Sequence, residues 1–375
     1  MGSSFGTLLR LTTFGESHGP FIGGILEGCP PRIPISIQKI QDELDRRKPG
    51  QSQVSTQRKE EDKIHIGSGL IKQENNPDHL FLTLGTPIGF YINNKDAQSQ
   101  AYAPFRDIYR PSHADYSYDQ KYGIRDWRGG GRSSARETTS RVVGGAIAKQ
   151  ILSHLFPELQ IVAFVQQIQE LQANISFQDL QSSTITSNIE SNMVRCPDPI
   201  AAKNMQQRIL QIKEQNDSVG GIIRCICTNV PAGLGDPCFD KIEANLAKAM
   251  LSIPASKGFS IGSGFESIYM TGSQHNDAFV VQDGIVKTQS NHSGGVQGGI
   301  SNGMPICFDV VFKPTATIAQ KQNSINQLHQ HVELEAKGRH DPCVLPRAVP
   351  IVEAMTALVI CDHVLRQRAI WVENT

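Results

Sequence analysis

Two histidines set between small residues, and a run of arginines around three glycines, are the parts of this 375-residue chain whose types and spacing could do chemistry. His18 lies in Thr12-Thr13-Phe14-Gly15-Glu16-Ser17-His18-Gly19, and His113 in Arg110-Pro111-Ser112-His113-Ala114-Asp115. An imidazole beside glycine is accessible and freely oriented, which suits proton transfer near neutral pH. Taken alone, His18 reads equally well as structural. Ser17 beside it resembles a nucleophile, but adjacent residues of an extended chain point to opposite faces, so its hydroxyl is not expected to reach the His18 ring.

The stretch from Arg110 to Arg141 asks for an anion. Gly129, Gly130 and Gly131 let the backbone approach a bound group closely, and Arg128, Arg132 and Arg136 add planar, doubly donating charges. Ser134 followed by Glu137 reads as a capping box, and Val142, Val143, Ala146, Ile147, Ile151, Leu155 and Phe156 then recur at helical spacing as far as Pro157. The free amides and positive dipole end of that helix favour phosphate or carboxylate. A glycine run before a helix is often only a turn, and RGG-like text can mean RNA. Against RNA stands a balance of 36 Lys+Arg and 36 Asp+Glu, where nucleic-acid binders carry a basic excess. A small, highly charged ligand fits better.

The positioning elements follow from pattern. Gln38 to Arg46 reads as an amphipathic helix with Ile40 and Leu44 inward and Ser36 as its cap, delivering Arg46, Arg47 and Lys48 either to solvent or to the anion. GGIIRCICTNV reads as a strand across which Cys225 and Cys227 alternate. Asp240 to Ser252 reads as a helix with Ile242, Leu246, Ala249 and Met250 inward, and AFVVQDGIVKT as a hairpin turning at Asp283-Gly284. A final helix is expected over Pro350 to Leu365, with Asp341 before it as a turn residue near arginines. Lys72 to His79, Gln166 to Arg195 and Gln320 to His331 read as surface excursions. His329 and His331 lack a third ligand nearby, so a metal is not expected. HExxH, a Walker lysine loop and a helix-opening GxGxxG are all missing from the sequence.

With 39% hydrophobic residues the chain can bury a large core. No apolar run is read as long enough to span a bilayer, and the N-terminus lacks the blocks of a signal peptide, so a cytoplasmic protein without a membrane or nucleic-acid partner is expected. Eight cysteines without a CxxC pair read as reduced thiols.

Four stretches together resemble the chorismate synthase family: TTFGESHG, RPSHADYSYDQKYGIRDWRGGGRSSARE, SNHSGGVQGGISNG and RHDPCVLPRAVPIVEAM, in the family's order and across essentially the whole chain. The resemblance implies one α+β domain over 1–375, with helices layered between antiparallel sheets, and a homotetramer. It implies a lyase of the shikimate pathway that eliminates phosphate from 5-enolpyruvylshikimate 3-phosphate in a formal 1,4-anti sense, giving chorismate. Reduced FMN is required without net redox change, the electron-rich flavin assisting phosphate departure and recovering its electron as the hydrogen leaves. His18 and His113 match the family's active-site histidines, and Asp341 matches the aspartate that helps take the substrate's proton. For FMN the matches are Arg132, Ser133, Ser134, Gly298, Lys313, Pro314, Thr315, Ala316, Thr317 and Arg339. For the substrate they are Arg47, Arg110, Arg136 and Arg339.

Two departures stand out. Gln53 occupies a place where related sequences carry an arginine for the substrate or for a nicotinamide donor, and the loop around Lys72 to His79 is longer than usual. NADPH could serve as electron source, but no separate nicotinamide motif is present, so an external flavin reductase is expected to supply the reduced flavin. The competing expectation is a catalytically lapsed flavin- or phosphate-binding interaction protein.

Overall fold

The computed structural model describes residues 2–50, 60–73, 80–96, 99–175, 184–336 and 341–370. Its centre is a layer of helices between two five-stranded antiparallel sheets. The first sheet runs in the order Ser4–Phe5, Arg10–Phe14, Phe21–Glu27, Ile88–Asn93, Ile64–Ile66. The second runs Leu171–Gln172, Gln160–Ile168, Gly221–Thr228, Ile306–Phe312, Ser256–Ile261. The described α-helices of eight residues or more are α1 (Ile37–Arg47), α2 (Asp115–Tyr122), α3 (Thr138–Leu155), α4 (Pro199–Glu214), α5 (Ile242–Leu251) and α6 (Leu345–Ile370). Helix α3 packs on the first sheet, α6 on the second, and the two pack on each other, with α1 and α5 at their flanks. The expected layering of helices between antiparallel sheets is what the chain adopts.

One apolar cluster runs continuously through these layers, from Leu11 and Ile22 through Val142, Ile147 and Val352 to Ile223 and Val310. Each sheet turns one apolar face to the helices, so a helix filling the middle must be apolar on nearly all sides. Helix α6 is that element: every residue from Ile351 to Val364 is buried. By length and composition it could cross a membrane, contrary to the reading that no apolar run is long enough, but here its apolar surface is taken up by the fold. Close approach of α3 and α6 depends on Gly145, where a Cβ would stand 2.3 Å from the Cβ of Ala354.

Helix α6 starts at Leu345, five residues before the expected Pro350, and runs past the expected Leu365 to Ile370, the last described residue. Proline inside a helix leaves the carbonyl four residues back without its N–H donor. That carbonyl belongs to Pro346, and Arg195 Nη1 donates to it at 2.5 Å. Gln166 to Arg195 is therefore not a simple surface excursion: Gln166 and Arg195 are buried, and a short helix, Ile185–Glu190, buries Ile185 and Ile189. Cys225 and Cys227 both lie buried on one face of their strand, because residues two apart share a face. All eight cysteines are free thiols.

The expectations for α1, α5 and the Asp283-Gly284 hairpin hold closely. Helix α1 starts at Ile37 with Ser36 accepting from the Lys39 amide, α5 buries Ile242, Leu246, Ala249 and Met250, and the hairpin Phe279–Gln282/Ile285–Thr288 turns at Asp283 and Gly284, both at positive φ. Gln320 to His331 lies mostly in an exposed hairpin, Lys321–Ile325/His331–Glu335. The loop at Lys72 to His79 falls mainly outside the described residues.

Candidate active site

The loops at one end of this layered core enclose a cavity of about 400 Å³. Its wall is assembled from distant parts of the chain: the turn after the first sheet's Arg10–Phe14 strand brings Ser17 and His18, and the end of α1 brings Arg47. The segment before α2 brings Arg110, Ser112 and His113, while the approach to α3 brings Gly129, Gly130 and the run Ser133 to Arg136. Lys313, Thr315, Ala316 and Thr317 follow the Ile306–Phe312 strand, and Asp341 and Arg347 flank the start of α6.

The glycines decide how the two histidines sit. Gly129 has φ +73, and a Cβ there would lie 2.7 Å from His18 Cδ2 and 2.9 Å from Ser17 Oγ. A Cβ on Gly130 would lie 3.4 Å from His113 Nε2. The imidazoles thus lean against neighbouring glycines, His18 with its ring edge-on to Tyr102 at 5.1 Å. Ser17 and His18 both face Gly129, where opposite faces were expected, because residues 17–20 form a turn and not an extended strand.

His113 is held in one tautomer by its neighbours. Its Nδ1 lies 3.0 Å from Asp115 Oδ1 and 3.2 Å from Arg110 Nη2. Arg110 Nη2 has two protons and spends them on Asp115 Oδ1 at 2.8 Å and on the Gly129 carbonyl at 2.6 Å. Nδ1 must therefore donate to Asp115, leaving Nε2 toward Gly130 and the cavity. Asp115 is buried, which would raise its pKa, but hydrogen bonds from Arg110 and His113 hold it well below the usual carboxylate range. Arg125 also pairs with it, at 3.0 Å.

The remaining arginines share acids. Asp62, fully buried, takes Arg47 Nη2 on Oδ2 at 2.8 Å and Arg136 Nη1 on Oδ1. Burial opposes its ionisation, yet Arg47 and Arg136 win and its pKa is lowered. Arg47 is 1% exposed, and burial pushes its pKa down to about 10, with the like charges of Arg347 and Arg136 adding to the effect against Asp62. Its Nε has no hydrogen-bond partner among the described residues, and neither has Ser17 Oγ. Asp341 is ion-paired with Arg347 Nη1, and its backbone carbonyl accepts from Thr315 Oγ1 at 2.8 Å. Two lining residues, Ser112 (φ 55) and Ala255 (φ 69), hold backbone conformations that L side chains rarely adopt, as residues at functional sites often do.

Of the residues singled out in the sequence, the cavity gathers His18, His113, Asp341, Arg47, Arg110, Arg136, Ser133, Ser134, Lys313, Thr315, Ala316 and Thr317. Pro314 lies within the same loop, its carbonyl accepting from Lys313 Nζ at 3.3 Å. Arg132 turns the other way and donates to Thr13 Oγ1 at 2.7 Å and to the Gly15 carbonyl at 3.3 Å. Gly298 lies in the hairpin Val296–Gln297/Ile300–Ser301, away from the cavity lining. Arg339 and Gln53 fall outside the described residues. Sequence reasoning missed Tyr102, Pro254, Ala255 and Arg347 on the wall, and Asp62 and Asp115 behind it. Asp115 could have been found from its spacing two residues after His113. Asp62 carries no local signal, since it meets Arg47 and Arg136 only in the fold.

Fold and cavity define a sheet–helix–sheet protein whose cavity combines two histidines, an aspartate and a concentration of arginine. The sequence model of the family described as chorismate synthase matches residues 9–365. The chorismate synthase of Synechocystis sp. is 55% identical over 371 residues, covering 98% of this chain and 99% of its own length. That of Methylacidiphilum infernorum is 53% identical over 374 residues, covering 99% and 98%. A solved crystal structure of chorismate synthase superposes with a TM-score of 0.72 at 31% identity, covering 96% of this chain and 93% of its own. The chain belongs to the chorismate synthase family.

Proposed function

We propose that this member of the family converts 5-enolpyruvylshikimate 3-phosphate to chorismate and phosphate by 1,4-anti elimination, with reduced FMN as cofactor. The observation that carries the reading is the cavity's unmet demand for negative charge. Arg47, Arg110, Arg136, Lys313 and Arg347 line it against one lining carboxylate, Asp341. Even with the groups behind the wall, Arg125 against Glu60, Asp62, Asp115 and Asp119, the cations among the described residues exceed the acids by one. A substrate with two carboxylates and a phosphate answers that surplus, and a chain of zero formal net charge can focus it in one cleft.

The residues present also fit a flavin phosphate. Ser133, Ser134, Thr315, Thr317 and the half-buried Lys313 supply hydroxyl and ammonium donors, and the unpartnered Ser17 Oγ and Arg47 Nε point to groups not supplied by the protein. When bound, reduced FMN supplies an electron-rich ring beside the substrate. Arg47, Arg110 and Arg136 hold the substrate's anionic groups, each fixed from behind by Asp62 or Asp115 so that little reorganisation is needed on binding. His113, its Nδ1 proton committed to Asp115, presents Nε2 to the cavity, and in its imidazolium form it carries there a second proton that passes to the departing phosphate and leaves the neutral ring. His18 stabilises charge nearby, and Asp341 helps take up the proton that the substrate loses. In this reading the chain acts as one domain in a cytoplasmic homotetramer, with reduced flavin supplied from outside.

The test is chorismate formation by the purified protein under anaerobic conditions with dithionite-reduced FMN. Chorismate and phosphate released in equal amounts support the reading. Folded, flavin-binding protein that forms no product refutes it.

A further inference from the structure

On the far side of the Arg132 to Glu137 segment lies a second cavity, of about 620 Å³. The segment is a shared wall. Ser133, Ser134, Ala135 and Arg136 face the catalytic cavity, while Arg132 and Glu137 face the second one, and the two cavities have no lining residue in common.

Its charge is unbalanced in the same sense as the first. Lys121, Arg132, Arg141 and Lys248 line it against the single carboxylate of Glu137. Glu137 is buried and already committed, accepting from Thr13 Oγ1 at 2.7 Å and from Arg141 Nε at 2.8 Å, with Arg132 at 3.7 Å. Neither lysine has an acidic partner among the described residues; Lys248 Nζ lies 5.8 Å from the Phe5 ring centroid and Lys121 Nζ 5.3 Å from that of Tyr122. Between the charges the wall mixes rings and aliphatic side chains with the hydroxyls of Ser3, Ser4, Thr13 and Ser252. Tyr118 and Tyr122 come from one face of α2, at the i,i+4 spacing, and Phe5, Leu11 and Met355 from the core side. A surplus of cations and hydroxyl donors around a recess that carries three aromatic rings suits a ring with negative charge, through salt bridges and hydrogen bonds at its edge and stacking on its face.

We propose that this second cavity binds a small aromatic anion of two or more negative charges, a ring bearing carboxylates or a phosphate, at a site separate from the catalytic one. The probe is 5-bromobenzene-1,3-dicarboxylate, titrated calorimetrically into the intact protein and soaked into its crystals. Lys121 and Lys248 are exposed and outside the catalytic cavity, so Lys121→Ala/Lys248→Ala tests the site without threatening the fold. The double variant is expected to bind the probe roughly tenfold more weakly than the wild type, while the equally charged control Lys39→Ala/Lys203→Ala binds it unchanged. Bromine anomalous density is expected among Phe5, Tyr122 and Lys248. Failure of the wild type to bind, equal affinity in both double variants, or bromine found only in the catalytic cavity would overturn the proposal.

Discussion

Arg46 and Arg47 are neighbours at the end of α1, yet they enter opposite electrostatic worlds. Arg46 meets Glu353 at 2.7 Å, Glu190 at 2.7 Å and Glu43 at 3.0 Å, in a cluster completed by Lys149 and Arg195. There three cations face three carboxylates. Burial opposes the charge of Arg46, but the attraction of Glu353 and its fellow acids prevails and its pKa rises. Arg47 shares one aspartate with Arg136, faces Arg347, and has its pKa lowered. A balanced, partly buried cluster centred on the buried Glu353 holds structure together, whereas one left short of acids stores a demand that a ligand can meet. The difference separates scaffold from site more sharply than the presence of arginine does.

The comparison can be broken at either cluster. On the site side, His113→Ala is expected to lower turnover by about two to four orders of magnitude while FMN binding and thermal stability persist. Unchanged turnover would remove His113 from the chemistry. On the scaffold side, Glu353→Gln strands Arg46 and Lys149 with too little negative charge, and denaturant unfolding should show a loss of about 3–5 kcal/mol. A variant as stable as the parent would show that this cluster is not structural. Gly129→Ala puts a Cβ at a positive φ against His18 and Ser17, so activity should fall by roughly tenfold or more with a smaller loss of stability. Full activity would mean that the two side chains can move aside without cost to the chemistry.

The smallest expected effect concerns a buried group with neither kind of cluster. His363 is 2% exposed, and Asn245 Nδ2 donates to its Nε2 at 3.0 Å. Burial, then the charge of Arg366, lowers its pKa below 6.5. Between that lowered value and 6.5 the unfolded chain binds a proton that the folded chain does not, so stability should fall as pH drops below 6.5. His363→Gln should flatten that part of the stability profile. A slope unchanged in the variant would assign the pH dependence to other groups.

Much of this was legible from residues alone. Periodicity placed α1 and α5, and glycine chemistry placed the Asp283-Gly284 turn. The anion demand of Arg110 to Arg141 was read from the glycines and arginines together. The capping box was misread: Ser134 Oγ accepts from Arg136 N at 3.3 Å, heading a short 3₁₀ turn, while the Glu137 carboxylate is drawn off by Thr13 and Arg141 before α3 begins at Thr138. A cap read from spacing assumes that no distant partner competes, and Thr13 is 124 positions away. The start of α6 was lost for a similar reason, since Arg195, 151 positions before Pro346, serves the carbonyl that Pro350 leaves open. Asp62 was missed because a carboxylate behind a site is defined by what the fold brings to it, whereas Asp115 lies within five residues of Arg110 and His113 and its local spacing was open to reading.

The most direct measurement is the affinity of the folded protein for 5-enolpyruvylshikimate 3-phosphate in two variants of adjacent residues, Arg46→Met and Arg47→Met. Removing Arg47 should weaken binding by roughly tenfold or more with little loss of stability, because Asp62 keeps Arg136. Removing Arg46 should cost stability and leave the affinity of the remaining folded protein within about threefold of the parent. Equal losses of affinity in the two variants, or the larger loss in Arg46→Met, would contradict the division of the two arginines between scaffold and site.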